Sequence, residues 1–191
     1  MKIDLPADRP RVEIAARGGG VVTLSPLTRA DRVLIEEGFD ELSIETRYAR
    51  FGQGVAGLSS RELDYLSDVD QHSHVAWGAT LDGELAGVGR YIVPSPGDCA
   101  EFAVTVIDAH QRRGVGTALF QALAAIARDD GVHELCFEAQ SDNEAVMGIM
   151  REMEIATFVV EGTIGGRIRL EDIPTGPDDA EFVRVMASVR S

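Results

Sequence analysis

Long apolar runs are absent from this chain. No stretch of about 18 residues is both apolar and free of charge, which excludes a membrane-spanning helix. The opening Met1-Lys2-Ile3-Asp4-Leu5-Pro6 has no apolar segment behind its charges, so no secretory signal and a cytoplasmic location are expected. Lysine is nearly missing as well. Lys2 stands alone among 18 basic residues, and the rest are arginines, which keep their charge in any surroundings. Acids outnumber bases 32 to 18, a formal net charge of −14. A phosphate-backbone binder needs a basic surface, so no nucleic-acid partner is expected. The acidity favours cationic partners, or serves solubility alone. There are only two cysteines, Cys99 and Cys136, and the expected state is reduced. No Cys/His set has zinc spacing. His72 and His74 can share one face of a strand but have no third ligand nearby, so no metal is expected.

What is present is an ordinary globular composition, with 45% hydrophobic residues in 191, enough for one domain with a single core. Residues 1–20 read as a polar leader or an edge hairpin ending in Arg17-Gly18-Gly19-Gly20. Residues 21–170 read as the domain, and residues 171–191 as a tail. Val22 and Leu24 alternate with Val21 and Thr23, which predicts a strand stopped near Pro26. Thr28 and Asp31 have the spacing of a capping box before a helix with Val33, Leu34 and Gly38-Phe39 at helical offsets. A second helix is predicted over 43–51. Ser60 is the expected cap of a third, with Leu63 and Leu66 on its inner face.

After Asp70 the period becomes that of strands. Runs 74–81 and 84–93 flank Asp82-Gly83, a strong hairpin signal. Pro94, Pro96 and Gly97 make a loop, and 101–107 is a further strand. A loop over 108–113 leads into a helix whose buried stripe is Val115, Ala118, Leu119, Ala122, Leu123 and Ile126, stopped by Gly131. A strand over 133–139 follows. A helix over 143–152 then carries Ala145, Met147, Ile149, Met150 and Met153. Strands over 157–160 and 163–170 close the sheet. In the tail, Phe182, Val185, Met186 and Val189 have helical spacing. Trp77, Tyr91 and Cys136 read as core. The order implies an α+β (mixed α/β) fold.

The chemistry centres on Gln111-Arg112-Arg113-Gly114-Val115-Gly116-Thr117-Ala118, between a buried strand and an amphipathic helix. Two glycines let the backbone turn there and bring its N–H groups to an anion, with the helix dipole behind them. The arginines add positive charge in an otherwise acidic protein. A dinucleotide fingerprint needs a third glycine, and position 119 is Leu. A Walker loop needs Gly-Lys-Ser/Thr, which is missing. The anion site is of another kind.

This segment resembles the pyrophosphate loop of the GNAT N-acetyltransferases, Gln/Arg-x-x-Gly-x-Gly/Ala, at Gln111, Gly114 and Gly116. Asn143 resembles the Asn that this family places near the pantetheine arm. The likeness covers residues 21 to 160. It implies the GNAT fold, a twisted and mostly antiparallel sheet with a splayed strand pair flanked by helices. It also implies acetyl-CoA as donor, held by Gln111, Arg112, Arg113, Gly114, Val115, Gly116, Thr117 and Asn143. A narrower likeness is carried by Phe39-Asp40-Glu41-Leu42-Ser43, Arg47-Tyr48-Ala49-Arg50-Phe51, Leu58-Ser59, Glu62-Leu63, Asp68-Val69-Asp70 and His74-Val75-Ala76. These are similar to bacterial protein lysine acetyltransferases of the Pat type, which acetylate the active-site lysine of acyl-CoA synthetases. In that branch a Glu in an Ala-Glu-x-Ala context is the general base, and Ala100-Glu101-Phe102-Ala103 resembles it. Relatives often carry a regulatory module, for which 191 residues leave no room.

The chemistry these residues must perform is demanding. A lysine amine titrates near 10.4, so presenting it neutral at pH 7 costs about 4–5 kcal/mol. Glu101, expected in a partly buried strand, is the residue to take that proton. Backbone N–H groups of Val104, Thr105 and Val106 are the expected partners of the pantetheine arm and of the oxyanion that forms during attack. No Tyr stands near Met147–Met153 to protonate the leaving thiolate. An acyl-enzyme on Cys99 lacks a His or Asn at a partner position. The alternatives to a protein lysine are a small-molecule amine and a CoA-sensing module without catalysis. The oligomeric state is not encoded in any motif.

Overall fold

The computed structural model of the chain describes residues 2–3, 5–52, 55–95, 99–140, 143–152, 155, 157–160 and 163–191. The strands are β1 (Val12–Ala15), β2 (Val21–Pro26), β3 (His74–Leu81), β4 (Glu84–Ile92), β5 (Ala100–Val106), β6 (Glu134–Gln140), β7 (Phe158–Val160) and β8 (Thr163–Arg169). The helices are α1 (Arg32–Asp40), α2 (Ile44–Phe51), α3 (Ser60–Ser67), α4 (Val115–Asp129), α5 (Glu144–Glu152) and α6 (Asp179–Arg190). All eight strands join one sheet, in the order β1-β2-β3-β4-β5-β6-β8-β7. Every neighbouring pair is antiparallel except β5 and β6, which are joined through α4. This is the mixed α/β architecture expected from the element order, with the mostly antiparallel sheet that the family likeness implies.

Local chemistry explains most of these elements. Asp82 and Gly83 both have positive φ, 53° and 79°, the requirement of a two-residue turn whose twist matches a hairpin. Thr28 and Asp31 form the capping box of a 3-10 turn, Arg29–Asp31, that leads directly into α1. The predicted stripe of α4 is buried from Val115 to Ile126, and Gly131, at φ 73°, follows its end. Trp77 and Tyr91 are fully buried, as expected.

The two faces of the sheet carry different layers. Along β4 and β5, Gly89 looks onto Leu119 and Leu123 of α4, and the Phe102 ring meets those of Phe120 and Phe137 at 5.2 and 5.4 Å. The alternating residues Val88, Arg90, Ala103 and Thr105 face the other way, toward α1, α2 and α3.

The structure corrects several expectations. Ser59, not Ser60, caps α3, because its hydroxyl accepts from the Glu62 N–H and the Glu62 carboxylate answers at Ser59. Val33 is 57% exposed, since α1 turns that position to solvent. The segment before α4 is not a bare loop but contains a 3-10 turn over Asp108–His110. Residues 12–15 pair with β2, so the hairpin reading of the N-terminal segment is the one realised. The helix in the tail docks on α4 and β3. Phe182 packs edge-on against Trp77 at 5.7 Å, and Trp77 Nε1 donates to Met186 Sδ at 3.3 Å. Arg190 pairs with Asp130, which also accepts from the Tyr91 hydroxyl. The cysteines are not free thiols, because a disulfide joins Cys99 to Cys136 with their Cα atoms 5.9 Å apart. Cys136 is half-buried on β6 rather than in the core. Pro96, Gly97 and Met153, and the side chain of Ala145, lie outside the described residues.

Candidate active site

The site begins where the sheet comes apart. β4 and β5 are paired in register from Gly87↔Val106 to Ile92↔Glu101. β5 and β6 pair only at Ala100↔Leu135 and Glu101↔Cys136. Beyond Glu101 the parallel neighbour is gone, and residues 102–106 have one flank without a β6 partner. The disulfide spans the same two strands at the root of this opening. Glu101 therefore sits at the last paired position. It is exposed there, where the sequence pattern placed it in a partly buried strand, although its neighbour Ala100 is fully buried. Its side chain shares a sheet face with Ala103 and Thr105.

At the far end of β5 the chain turns into α4. Arg112 and Gly114 both take positive φ, 59° and 86°, so the backbone folds sharply just before the helix. Gly114 is the N-cap of α4, and no side chain caps it. The first intrahelical bond runs from Ala118 N–H to Gly114 O, so the N–H groups of Val115, Gly116 and Thr117 have no partner within the helix. At Gly116 a Cβ would stand 3.2 Å from Ile149 Cδ1 and 3.5 Å from Val106 Cγ2, so α5 and β5 close on the helix start there. This is an anion cradle built from backbone.

The remaining candidates divide into binders and braces. Arg112 is exposed at the bend. Arg113 is turned away, its Nη2 donating to Gly19 O at 3.0 Å while its own carbonyl accepts from Arg17 N–H. Gln111 Nε2 donates to Val106 O at 3.2 Å and to Thr46 Oγ1 at 3.3 Å, tying the bend to β5 and α2. Val115 is buried, and Val104, Thr105 and Val106 are half-buried along the open strand. Asn143 Oδ1 accepts from Val146 N–H at 3.1 Å, so this residue starts α5.

Three residues at this site carried no sequence signal. The hairpin turn between β1 and β2 brings Arg17 beside Gly114. Its guanidinium pairs with Glu152 Oε1 at 2.5 Å, and Thr117 Oγ1 donates to Glu152 Oε2 at 2.9 Å. A carboxylate thus lies against the first turn of α4. Asp108 is the third. It accepts from Ser43 N–H at 2.9 Å, Ser43 Oγ at 2.8 Å and Thr46 Oγ1 at 2.7 Å, locking the N-terminus of α2 to the bend. Burial raises its carboxyl, but these hydrogen bonds outweigh that and hold it below the usual range.

Under α1, α2 and α3 the sheet leaves a cavity of about 100 Å³, lined by apolar side chains with Ala103, Thr105, Arg50 and Arg90. His74 lies beside Arg90, the two nitrogens 3.0 Å apart. Burial, and then the Arg90 charge, push His74 down to about 4 against the pull of Asp70. Burial raises Asp70 too, but the Ser73 hydroxyl and the N–H groups of His74, His72 and Ser73 hold it at about 2. Among the described residues no three His, Cys, Asp or Glu side chains cluster to hold a metal, and no helix is long and apolar enough to cross a membrane.

Comparison with known proteins places the fold. "Acetyltransferase Pat" of Mycolicibacterium smegmatis is 31% identical over 178 residues, 90% of this chain, and the chain spans about half that relative, 53% of its length. "Acetyltransferase PA5475" of Pseudomonas aeruginosa is 31% identical over 132 residues, 67% of this chain and 71% of that protein. The crystal structure of the GNAT domain of S. lividans PAT superposes with a TM-score of 0.77 at 26% identity, covering 87% of this chain and 99% of that one. Residues 36–154 match the acetyltransferase (GNAT) family, whose donor is acetyl-CoA, and the chain belongs to that family.

Proposed function

We propose that the protein transfers the acetyl group of acetyl-CoA to the ε-amine of a protein lysine, with Glu101 as general base. The observation that carries this reading is the early end of β5–β6 pairing. It leaves a strand flank open for the pantetheine arm, with a carboxylate at one end and an anion cradle at the other.

The diphosphate lies on the N–H groups of Val115, Gly116 and Thr117, with Gln111, Gly114 and Arg112 shaping the bend. Arg113 acts at a distance, by holding the bend to the N-terminal hairpin. The arm runs along Val104, Thr105 and Val106. Asn143 offers it the Nδ2 hydrogens that helix capping leaves over. The amine nitrogen attacks the thioester carbonyl carbon while Glu101, directly or through a water, takes its proton. Backbone N–H groups of β5 stabilise the oxyanion, the C–S bond breaks, and CoA leaves as a thiolate that water protonates. The chain has no Tyr between Asn143 and its C-terminus to serve as acid. While the disulfide is intact, Cys99 offers no free thiolate to attack the thioester.

The resemblance to Pat-type enzymes points to an acyl-CoA synthetase as the target. The compartment that goes with this reading is the cytoplasm, where the thiol pool acts on the Cys99–Cys136 bond. The test is incubation with labelled acetyl-CoA and a purified acyl-CoA synthetase. Label on the synthetase active-site lysine, mapped by mass spectrometry, is the expected result. CoA binding with no transfer to any amine marks a sensing module instead and overturns the proposal.

A further inference from the structure

We infer that the cavity under α1, α2 and α3 holds the carboxylate of the acceptor, gripped by Arg50 and Arg90, so that the preferred amine carries an acid group along its own chain. This rests on the acetyltransferase reading above and specifies the acceptor.

The argument starts from how arginines are used in this layer. Arg9 reaches the same cavity with its charge paired, Nη1 and Nη2 on the two Asp31 oxygens at 2.6 and 2.7 Å and a further bond to Pro26 O. Arg47, one turn before Arg50 on α2, spends its nitrogens on the carbonyls of Leu42, Ala56 and Asp40. Arg50 and Arg90 differ. Among the described residues neither forms an ion pair, and no carboxylate acts on the charge of either. Arg90 is only 5% exposed. Its contacts are the Leu66 carbonyl at 3.2 Å and a His74 ring that burial keeps neutral. Arg50 is half-buried, over the Phe51 ring at 5.2 Å. Arg90 feels the Arg50 charge, and the Tyr65 hydroxyl acts on both arginines. Burial, then the Arg50 charge, lower Arg90 to about 10.

Two like charges taken out of water without a counter-ion are costly, and an anion between them removes most of that cost. A planar carboxylate suits two guanidinium forks. The placement fits the reaction. Arg90 stands opposite Ala103, and the next pair on the same face is Ile92↔Glu101. Arg90 and Glu101 are therefore diagonal neighbours, roughly 7–8 Å apart at the backbone. Glu101 suits the ammonium of an incoming acceptor and the arginine pair suits its acid, in a protein whose net charge of −14 otherwise repels carboxylates.

The test compares acceptors that differ only in the acid. The first pair is 6-aminohexanoate and hexylamine. The second is an amidated peptide with aspartate after its lysine and the same peptide with asparagine. The expected kcat/KM favours the acid in at least one pair by roughly tenfold or more, and Arg50→Gln abolishes that preference while the KM for acetyl-CoA stays put. Preference within the first pair identifies a free amino acid as the source of the carboxylate. Preference within the second identifies an acidic side chain of a protein. Acetylation without preference, or a preference that survives both Arg50→Gln and Arg90→Gln, overturns the inference. If no amine is acetylated the parent reading fails, and calorimetric titration of the first pair decides the cavity alone. Tighter binding of 6-aminohexanoate, lost in Arg50→Gln, upholds it, and equal binding rejects it.

Discussion

The two flanks of β5 are made of the same residues and meet opposite fates. Toward β4 the strand is paired from Glu101 to Val106, and toward β6 it is paired at two positions and then open. No unusual side chain produces the difference. α4 has to cross between β5 and β6, and the bend that starts it at Gly114 draws the end of β5 toward the helix, where Val106 meets Gly116. The sheet is left unfinished at this point, with Glu101 at one end of the gap and the start of α4 at the other.

The largest effect that sharpens this comparison lies at the root of the gap. The Cys99–Cys136 bond closes a loop with a sequence separation of 37 across β5 and β6 at the last paired residues. Its removal costs about 3–4 kcal/mol by loop entropy. Urea unfolding with and without reductant, repeated on Cys136→Ser, is expected to show that loss in wild type and no reductant effect in the variant. Next comes Glu101→Gln. Turnover is expected to fall roughly a hundredfold, with the KM for acetyl-CoA unchanged, because the carboxylate acts on the amine and not on the donor. Unchanged turnover removes Glu101 from the mechanism. At the other end of the gap, Gly114→Ala forces a side chain into φ 86° at a cost of about 1–2 kcal/mol, and the bend relaxes. The KM for acetyl-CoA is expected to rise several-fold while the pH profile of turnover keeps its shape.

The same contrast explains what could be read from the residues alone. Short-range chemistry was legible. Asp82-Gly83, the stripe of α4, the capping box at Thr28 and the glycines of the bend each state a local requirement, and each is met in the structure. Long-range contacts were not. Arg17 and Glu152 are 135 positions apart and meet only because the first hairpin and the end of α5 converge on α4. Nothing in the Asp108 neighbourhood names Ser43 and Thr46 as partners. The disulfide depends on two strands being neighbours at their first residues, which spacing does not reveal. The parallel pairing ends for reasons of topology, so the opening was implied by the family likeness and not by any pattern in 100–106.

The smallest predicted effect separates the two faces of the sheet by pH. Beside the bend the buried His110 stands 3.9 Å from a Glu84 oxygen, whereas the opposite face holds His74 beside Arg90. In the folded protein His74 is pushed down to about 4, first by burial and then by the arginine charge, while in the unfolded chain it titrates near 6.5. Between those values the unfolded state binds a proton that the folded state refuses, so the contribution of His74 is complete above about pH 6.5 and is lost as the pH falls toward 4. Asp70, held at about 2, loses its own contribution only below the ordinary carboxylate range, outside this window. Gln at position 74 can still accept from Arg90 and cannot be protonated. In His74→Gln the slope of unfolding free energy against pH between 6.5 and 4 is expected to flatten relative to wild type, by up to one bound proton. Equal slopes in the two proteins mean that the folded imidazole does take up a proton beside Arg90, and that the arginine cluster lacks the positive field that sets this face apart from the other.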